Sequence, residues 1–410
     1  MSQFNADSSQ LLYLGDVPVE ASHHGSALLY RLLEEYETKN LLVVESDLAP
    51  SQPTRRLPGV AYRMLPTGWL RLLNSRFHGL YSAWLAWTAA RRAIRVQRLL
   101  DGFAPGAIVS VGHGYGWLTA AALAKRLGVP FHLIVHDDWP RLSGIAHQWQ
   151  GWLEQAFAKT YREASSRLCV SPFMAEEYER RYGIAGSVLY PSRSSDCPVF
   201  ETAPTRVLAE EDELVIGYGG NGSPDIVSCL RDVAQVLAGA KARLSVFGPF
   251  AEAVQQELLA ISPAITFHGM VPYRQMITGL RATADVLLVP MAFGEAARDN
   301  MIVSFPSKLA DYTATGRPLL IYGPPYSSAV RWAGIHPDVA AVVEQPDLAL
   351  LLQTLTQLRQ DPDRRRLLAE RAVVVGAKCF DSSSARACLH DALCGQGHNS
   401  TSFKLPKSQS

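Results

Sequence analysis

The sequence predicts an α/β protein built from two doubly wound, Rossmann-like domains that face a cleft. Short apolar runs alternate with segments of helical periodicity along nearly the whole chain, as is typical of parallel sheets covered by helices on both faces. This alternation is interrupted once, over residues 191–213, where Pro, Ser, Thr and acidic residues indicate a linker. With 410 residues, the chain is long enough for two such domains, each with its own core.

The first half of the chain contains apolar runs that predict one parallel sheet. The predicted strands cover 11–15, 41–45, 60–65, 107–111, 129–135, 166–170 and 187–190. The predicted helices cover 25–33, 69–100 and 117–127, and one more begins near Ser171. We assign residues 1–195 to this N-terminal domain.

The second half repeats the same alternation. The predicted strands cover 214–216, 243–247, 265–268, 286–289, 319–322 and 340–343, and helices close the chain at 348–359, 363–377 and 382–393. We assign residues 196–381 to a C-terminal domain. The last helix, within 382–395, is expected to cross back and pack on the first domain, and 396–410 reads as a disordered polar tail.

Composition argues against several classes of function. The net charge of +1 provides no basic field for nucleic acid, so no nucleic-acid partner is expected. The six cysteines form no CxxC pair and no metal-ligand spacing with histidine, which predicts reduced thiols. No apolar run reaches the ~20 residues of a membrane span. The polar residues 1–10 lack the apolar core of a secretory signal. We therefore expect a cytoplasmic protein whose cysteines hold no metal.

Candidate ligand contacts follow the predicted strands of the first domain. Ligands on parallel sheets bind beyond the carboxyl ends of the strands, where Gly25, His113 and His136 would gather. Gly25 allows a close approach to the backbone, and Ser26 follows it at a helix start. His136 is predicted to contact substrate. Its neighbour Asp137, with Asp138, either orients it, holds a hydroxyl or belongs to a solvated loop. A metal site at 136–138 has little support, because adjacent residues seldom all point at one ion.

A glycine-rich stretch opens the second domain. Gly217-x-Gly219-x-x-Gly222 has the spacing of a dinucleotide fingerprint, followed by Ser223 and a helix from Pro224. A dehydrogenase would also need an acidic residue after the next strand, and none follows 243–247. The stretch therefore favours phosphate binding over NAD, and a tight turn without ligand is the alternative.

Residues 304–318 predict a short helix with a phosphate site. Pro306 suits the first turn, and Gly316 suits the left-handed residue that ends a helix. Lys308 and Asp311 are three residues apart and share a face. A lysine near a helix N-terminus suits a diphosphate, and a carboxylate one turn on suits two ribose hydroxyls. The alternative is a surface ion pair worth about 0.2–0.5 kcal/mol.

The helical region 69–100 combines large apolar side chains with six arginines. Basic residues beside tryptophan and leucine can seat a helix on an anionic membrane surface. The alternative is that the apolar stripe packs on its own sheet and leaves the arginines in water.

Several motifs resemble those of family-4 glycosyltransferases of the GT-B fold. In the first domain they are Gly25-Ser26, His136 and the segment 169–174 that enters a helix. In the second domain they are 267–271, 284–290 and 305–312, followed by Gly316-Arg317-Pro318. Two departures stand out. Val303 occupies the place of the first of two family glutamates, and residues 219–223 lack the basic residues that commonly clamp phosphate.

The resemblance implies residue roles. Asp311 would bind the donor ribose, Lys308 and the segment 304–307 would face the diphosphate, and His136 with Asp137 would lie by the transferred sugar. The base and the outer face of the phosphates would contact further residues: Met270, Val271, Gly219, Gly220, Asn221, Gly222 and Ser223. Ser304, Pro306 and Ser307 belong to the diphosphate side.

The resemblance also implies the reaction. A sugar would pass from a nucleotide-diphosphate sugar to a hydroxyl of a glycan, a lipid-linked acceptor or a small glycoside, with retention and without an obligatory metal. Two alternatives remain open: a sugar-nucleotide epimerase on the same scaffold, and a non-catalytic partner protein that keeps it.

Overall fold

A computed structural model describes residues 10–22, 24–68, 70–194 and 196–395. The chain divides into two compact units. The first unit contains two segments of the chain, one that ends at Tyr190 and one that begins at Ser382. The second unit is Pro191–Asp381. Each unit contains one parallel sheet flanked by helices, so the predicted fold class of two Rossmann-like α/β domains is confirmed. Trp69, residue 195 and the predicted tail 396–410 lie outside the described residues.

The sheet of the first unit has the strand order β3-β2-β1-β4-β5-β6-β7 in its described part, with all neighbours parallel. The strands are β1 (Leu11–Gly15), β2 (Leu41–Ser46), β3 (Ala61–Leu65), β4 (Ala107–Val111), β5 (Phe131–Val135), β6 (Ser166–Cys169) and β7 (Ser187–Val188). Strands β1, β2, β4 and β5 are buried at every position, as expected for a sheet covered on both faces.

The helices of the first unit up to Tyr190 are α1 (His24–Leu33), α2 (His78–Trp87), α3 (Ala89–Leu99), α4 (Gly116–Leu127), α5 (Trp139–Leu142), α6 (His147–Glu163) and α7 (Pro172–Tyr182). Of these, α7 begins at a capping serine, and α4 and α7 end at left-handed glycines. The Ser171 hydroxyl accepts a hydrogen bond from Met174 N at the start of α7. Gly128 and Gly183 end α4 and α7 in the left-handed conformation.

The region predicted as one long helix, 69–100, is interrupted. A short 3-10 turn at Leu70–Leu72 precedes α2, and Thr88 separates α2 from α3. The Thr88 hydroxyl donates to the carbonyl of Trp84, a local hydrogen bond that competes with helix continuation. Most of this region is helical, as the apolar periodicity predicted, but it forms two helices and not one.

The sheet of the second unit has the order β10-β9-β8-β11-β12-β13 in its described part, again parallel throughout. The strands are β8 (Leu214–Gly219), β9 (Ala242–Phe247), β10 (Ile265–Phe267), β11 (Val286–Pro290), β12 (Leu319–Tyr322) and β13 (Ala341–Val343). Because β8 lies between β9 and β11, the chain reverses its direction of winding there. The edge beyond β8 and β11 is therefore where a ligand is expected.

The helices of the second unit complete its two outer layers. They are α8 (Pro224–Val236), α9 (Glu252–Ile261), α10 (Tyr273–Thr283), α11 (Arg298–Val303), α12 (Lys308–Tyr312), α13 (Ser328–Ile335), α14 (Leu348–Gln360) and α15 (Pro362–Cys379). Asp347 and Asp361 accept backbone N–H bonds at the starts of α14 and α15.

The last helix, α16 (Ser382–Leu393), belongs to the first unit. Leu389 is buried in the core of that unit, which also contains side chains of α1. Arg386 forms ion pairs with Glu35 at 2.8 Å and with Glu34 at 3.6 Å. The chain thus leaves the second unit and ends its described part on the first.

Candidate functional site

In the first unit, the expected ligand position lies beyond the carboxyl ends of β1 and β4. The strand order places β1 between β2 and β4, so the segments after Gly15 and Val111 lie at the point where the winding reverses. Strand β5 pairs with β4, and therefore His136, directly after β5, lies at the same edge.

His136 lies against Gly25. A Cβ atom at Gly25 would be 3.3 Å from His136 Nδ1, so the glycine keeps the imidazole clear. His136 Nε2 is buried and has no hydrogen-bond partner within the described part of the chain. Burial lowers the pKa of His136 to about 4, although Asp137 acts in the opposite direction. The imidazole is therefore neutral near pH 7, and its Nε2 is available to a ligand.

His113 is brought to the same place. Its ring lies 4.0 Å from that of Trp139, measured between centroids. Burial lowers the pKa of His113, while the carboxylates of Asp137 and Asp16 act to raise it. Ser26 is buried in the first turn of α1. The predicted grouping of Gly25, His113 and His136 in the first unit is thus what the geometry shows.

Sequence reasoning missed Asp16. Its carboxylate accepts hydrogen bonds from the backbone N–H groups of Tyr115 and Gly116, the latter at 2.8 Å, at the start of α4. It therefore satisfies free donors at that helix N-terminus and opposes the positive end of the helix dipole. A signal was present in the sequence, since Asp16 is an acidic residue that directly follows the first buried strand.

Asp138 has a structural role that none of the alternatives included. It is buried, and its carboxylate lies 2.7 Å from Arg181 Nη1 on α7. The Tyr178 hydroxyl donates to the same carboxylate at 3.3 Å. Asp138 thus fixes the segment after β5 to α7, whereas Asp137 remains partly exposed. The reading of Asp138 as a partner of His136 or as a solvated residue is wrong.

In the second unit, α12 is shorter than the helix we predicted and begins later. Pro306 lies two residues before its first residue, Lys308, so the prediction that Pro306 occupies the first turn is wrong. The N–H groups of Leu309 and Ala310 donate to the carbonyls of Pro306 and Ser307, at 3.0 and 3.1 Å. Gly316 is left-handed, with φ of 69°, but it follows three further residues of turn. With these N–H groups engaged, Lys308 is the main positive feature of the segment.

The Lys308 side chain reaches the end of strand β8. A Cβ atom at Gly220 would lie 2.8 Å from Lys308 Nζ, so the glycine allows the ammonium to lie against this backbone. Nζ lies 5.3 Å from the centroid of the Tyr218 ring. Burial lowers the pKa of Lys308 to about 8, and Asp311 acts in the opposite direction. The site therefore holds a poorly solvated cation, a state that a bound anion would stabilise.

Asp311 is held by a residue that sequence reasoning missed. The Tyr273 hydroxyl, at the start of α10, donates to Asp311 Oδ1 at 2.6 Å. The two residues are far apart in sequence, so no local pattern could link them. Arg193 Nε donates to the carbonyl of Ala310 at 3.0 Å, which fixes the same helix from another side. The carboxylate of Asp311 is thus oriented before any ligand arrives.

The glycine-rich stretch has two parts, the end of strand β8 and the loop that follows it. Glycine is required in each part for a different reason. Gly217 and Gly219 are buried within β8, so the prediction that they belong to a loop is wrong. A Cβ atom at Gly217 would lie 2.8 Å from Ala284 Cβ, and one at Gly219 would lie 2.9 Å from Met276 Sδ. These two glycines let α10 pack closely on β8. The loop proper begins at Gly220.

Tyr312 joins the two parts of the candidate site. The Gly219 N–H donates to the Tyr312 hydroxyl at 2.7 Å, and that hydroxyl donates to the Gly219 carbonyl at 3.1 Å. The end of β8 and the helix that bears Lys308 are therefore held together. Tyr312 belongs to the segment 305–312 that carries the resemblance, but sequence reasoning gave it no role.

The other predicted donor contacts lie around this edge. Gly222 lies against the Phe250 ring, where a Cβ atom would come within 2.6 Å of the ring. Ser223 directly precedes α8. Ser304 ends α11, and its hydroxyl donates to Asn300 Oδ1 at 2.6 Å. The remaining predicted contacts are the exposed Ser307, Met270, which is 60% exposed, and the partly buried Asn221 and Val271.

Val303 occupies the place where the family has a glutamate. Its side chain is fully buried at the end of α11. This position therefore contributes to the core and not to a polar contact.

Within the described residues, no group of three or more His, Cys, Asp or Glu side chains is arranged to hold a metal ion. None of the helices in the described part of the chain combines the length and apolar character that a membrane crossing needs.

Comparison with known proteins places this geometry in context. The model of the family described as Glycosyltransferase Family 4 matches residues 48–191, in the first unit. A GDP-mannose-dependent alpha-(1-6)-phosphatidylinositol dimannoside mannosyltransferase of Mycobacterium tuberculosis is 24% identical over 273 residues, covering 61% of this chain and 68% of that protein. Both findings confirm the predicted resemblance and the glycosyltransferase class of enzyme.

Solved structures share the fold over almost the whole chain. HepE of Anabaena, in complex with UDP, has a TM-score of 0.65 and 12% identity, covering 94% of this chain and 99% of that one. Sucrose-phosphate synthase of Thermosynechococcus elongatus has a TM-score of 0.62 and 15% identity, with 93% and 98% covered. A trehalose-phosphate synthase of Burkholderia vietnamiensis has a TM-score of 0.60 and 14% identity, with 94% and 100% covered. At these identities the likeness establishes the fold, which is the GT-B architecture predicted from the sequence.

Proposed function

We propose that this protein transfers a sugar from a nucleotide-diphosphate sugar to a hydroxyl of an acceptor, with retention of anomeric configuration. The observation that carries the proposal is the poorly solvated ammonium of Lys308 against the Gly220 backbone, with the oriented carboxylate of Asp311 on the same short helix. A diphosphate supplies the missing counter-charge, and a ribose supplies two hydroxyls for the carboxylate.

The chemistry assigned to Lys308 concerns the leaving group. When the glycosidic bond to the diphosphate breaks, negative charge accumulates on the phosphate oxygens. A cation already aimed at that position stabilises the transition state more than the ground state. One such preorganised donor is typically worth about 2.7–4 kcal/mol. Segment 304–307 and residues 219–223, at the end of β8 and in the loop that follows, are assigned to the remaining phosphate contacts.

We assign His136 the contact with the transferred sugar, with Asp137 beside it. The support is its neutral imidazole, whose buried Nε2 has no hydrogen-bond partner among the described residues. A neutral imidazole can donate a hydrogen bond to a sugar hydroxyl oxygen or accept one from it, depending on its tautomer. In this role it positions the sugar and does not need to change protonation state. The reaction is proposed to use no cofactor and no obligatory metal.

The nucleotide is proposed to be UDP or GDP. A UDP complex is known for the structural neighbour HepE, and GDP-mannose is the donor named for the mycobacterial relative. Met270 and Val271, after β10, are assigned to the base. The acceptor is proposed to be a glycan or a lipid-linked hydroxyl compound, in polysaccharide biosynthesis.

Contact with the inner face of a membrane through residues 69–100 is a further part of the proposal. The support is the exposure of tryptophan, leucine and arginine side chains along α2 and α3. The protein would then be cytoplasmic and peripheral, held by apolar insertion together with attraction to anionic lipid.

The test is a thermal-shift screen of the protein against UDP-, GDP- and dTDP-sugars, repeated with Lys308→Met. A ligand that binds only the folded form raises the melting temperature, and the variant should respond much less. Product analysis with the best donor then separates transfer from epimerisation, because an epimerase changes the sugar nucleotide without an acceptor. If no nucleotide sugar shifts the melting temperature, the proposed activity is wrong and a non-catalytic role is favoured.

A further inference from the structure

Residues 66–100 carry a strong local charge in a nearly neutral protein. The segment contains six arginines and no aspartate or glutamate, whereas the whole chain has a net charge of only +1. Arg92 is buried, where its Nε donates to Thr119 Oγ1 at 3.2 Å. The other five arginines are exposed. A surface of this kind favours an anionic partner.

The same segment forms an apolar groove of about 570 Å³, which we call the α2 groove. Its lining includes Thr67, Phe77, Leu80, Tyr81, Trp84 and Arg95. Leu80 is 55% exposed and Trp84 is 44% exposed, so large apolar side chains face open space in the free protein. The volume lies within the usual range of small-ligand sites, about 300–1,000 Å³.

The side chains that line the α2 groove are held in place by contacts with one another and with the backbone. The rings of Tyr81 and Trp84 stack with centroids 5.4 Å apart. Gly68 has φ of 113°, and a Cβ atom there would lie 3.3 Å from the Trp84 ring, so this glycine lets the ring cover the backbone. The Tyr81 hydroxyl donates to the Thr67 carbonyl at 3.2 Å. A concave wall of this kind can hold a single apolar chain, including one whose head group lies at a membrane surface.

One end of the α2 groove lies at the carboxyl edge of the first sheet. Thr67 follows β3 by two residues, and its N–H donates at 2.8 Å to Asp47, which follows β2. Thr67 also lines a small cavity together with Asp16, which follows β1, and Tyr115, which precedes α4. The groove therefore runs towards the edge of the unit that holds His113 and His136.

We propose that the α2 groove binds the apolar chain of an anionic, lipid-linked acceptor, with Arg95 beside the charged group of that acceptor. The inference rests on the proposed function and deepens it, since it names the class of acceptor. The acceptor hydroxyl would then lie towards Thr67 and the carboxyl edge, and the chain would lie along Phe77, Leu80 and Trp84. Arg95 lines the groove, and Arg91 and Arg98 lie four and three residues away on the same face of α3, which favours a phosphate-bearing compound.

The test uses dodecyl phosphate, below its micelle concentration, as a single-chain anionic probe in calorimetry. Trp84→Ser and Leu80→Glu should each weaken its binding about tenfold, since both remove apolar contact area from the groove. Trp87→Ser is the matched control. Trp87 is on the same helix, is 49% exposed and packs on Trp149 with centroids 4.3 Å apart, but it does not line the groove. Arg95→Gln should remove the preference for dodecyl phosphate over the uncharged dodecyl maltoside.

Vesicles of phosphatidylglycerol with phosphatidylcholine form the second arm. If dodecyl phosphate does not bind, or if Trp87→Ser weakens its binding as much as Trp84→Ser, the groove assignment is wrong. If only vesicles bind, and both tryptophan variants lose that binding equally, the surface docks on a bilayer and the single-chain site is refuted. Melting curves confirm that each variant is folded.

Donor binding is measured on the same proteins. A wild-type protein that binds dodecyl phosphate in the groove but no nucleotide sugar would refute the proposed transfer reaction and leave the groove in place. The reverse result would refute the groove and leave the transfer reaction.

Discussion

Replacement of Lys308 by methionine should change folding stability and donor binding in opposite directions. Methionine keeps most of the apolar stem and removes the charge. Burial holds the pKa of Lys308 at about 8 in the folded protein, against 10.5 for an ordinary lysine. The folded state therefore disfavours the charged form by on the order of 3 kcal/mol. This penalty is fully present below pH 8 and disappears as the pH rises towards 10.5.

The free Lys308→Met protein should consequently be as stable as the wild type at pH 7, or more stable by up to about 2 kcal/mol. Its donor binding should fall about tenfold or more, because a charge-assisted hydrogen bond contributes about 1.5–3 kcal/mol. Turnover should fall further, by about 10²–10³ in kcat, if the ammonium faces the charge that develops on the leaving diphosphate. Denaturant unfolding and steady-state kinetics measure the two effects separately.

Lys378→Met is the matched control, since Lys378 is an exposed lysine on α15 of the same unit. It should leave donor binding and kcat unchanged. Unaltered donor binding in Lys308→Met would refute the diphosphate assignment. A marked loss of stability in the same variant would instead indicate that the lysine holds the fold together, against the reasoning from its pKa.

Other predictions concern pH, packing and the histidines. Wild-type donor affinity should decline as the pH rises through about 8, because Lys308 then loses its proton, and Lys308→Met should not show this decline; titration calorimetry across pH 6.5–9.5 tests both. His136→Ala should lower kcat more than donor affinity, and an unchanged kcat would remove it from the site. Gly217→Ala should cost about 1–3 kcal/mol of unfolding free energy through overpacking, whereas Gly334→Ala, with open space around its Cβ position, should cost nothing; equal effects would contradict the packing account. Burial lowers the pKa of His132 to about 4, so folding stability should fall as the pH drops from 6.5 towards 4, and His132→Gln should reduce that fall by up to about 3 kcal/mol in urea titrations.

Much of the fold followed from local patterns. The near-continuous apolar runs of β1, β2, β4 and β12 predicted buried parallel strands, because a sheet covered on both faces leaves no polar side. Boundaries were less predictable. Strand β8 extends to Gly219 because its glycines pack under α10, and a glycine-rich sequence looks the same whether it turns or packs.

The candidate site was predicted in part. Lys308 and Asp311 could be paired from their spacing, since residues three apart on a helix share a face. Tyr273 and Tyr312 could not be given their roles, because each acts on a partner far away in the sequence. Asp16 was missed although its place after the first buried strand was a signal, and its partners at the start of α4 are likewise distant in sequence. Asp138 was misread for the same reason, since its partner Arg181 belongs to a later helix.

The sequence by itself determined the class of fold, the edges of the sheets where ligands are expected and the short segment that carries Lys308. These depend on periodicity and on neighbours within one helical turn, which are local properties. Only the tertiary structure decided which polar groups are buried, and with them the lowered pKa values of Lys308 and His136. Burial is set by the sum of contacts from every element around a side chain, and no single stretch of sequence contains that sum.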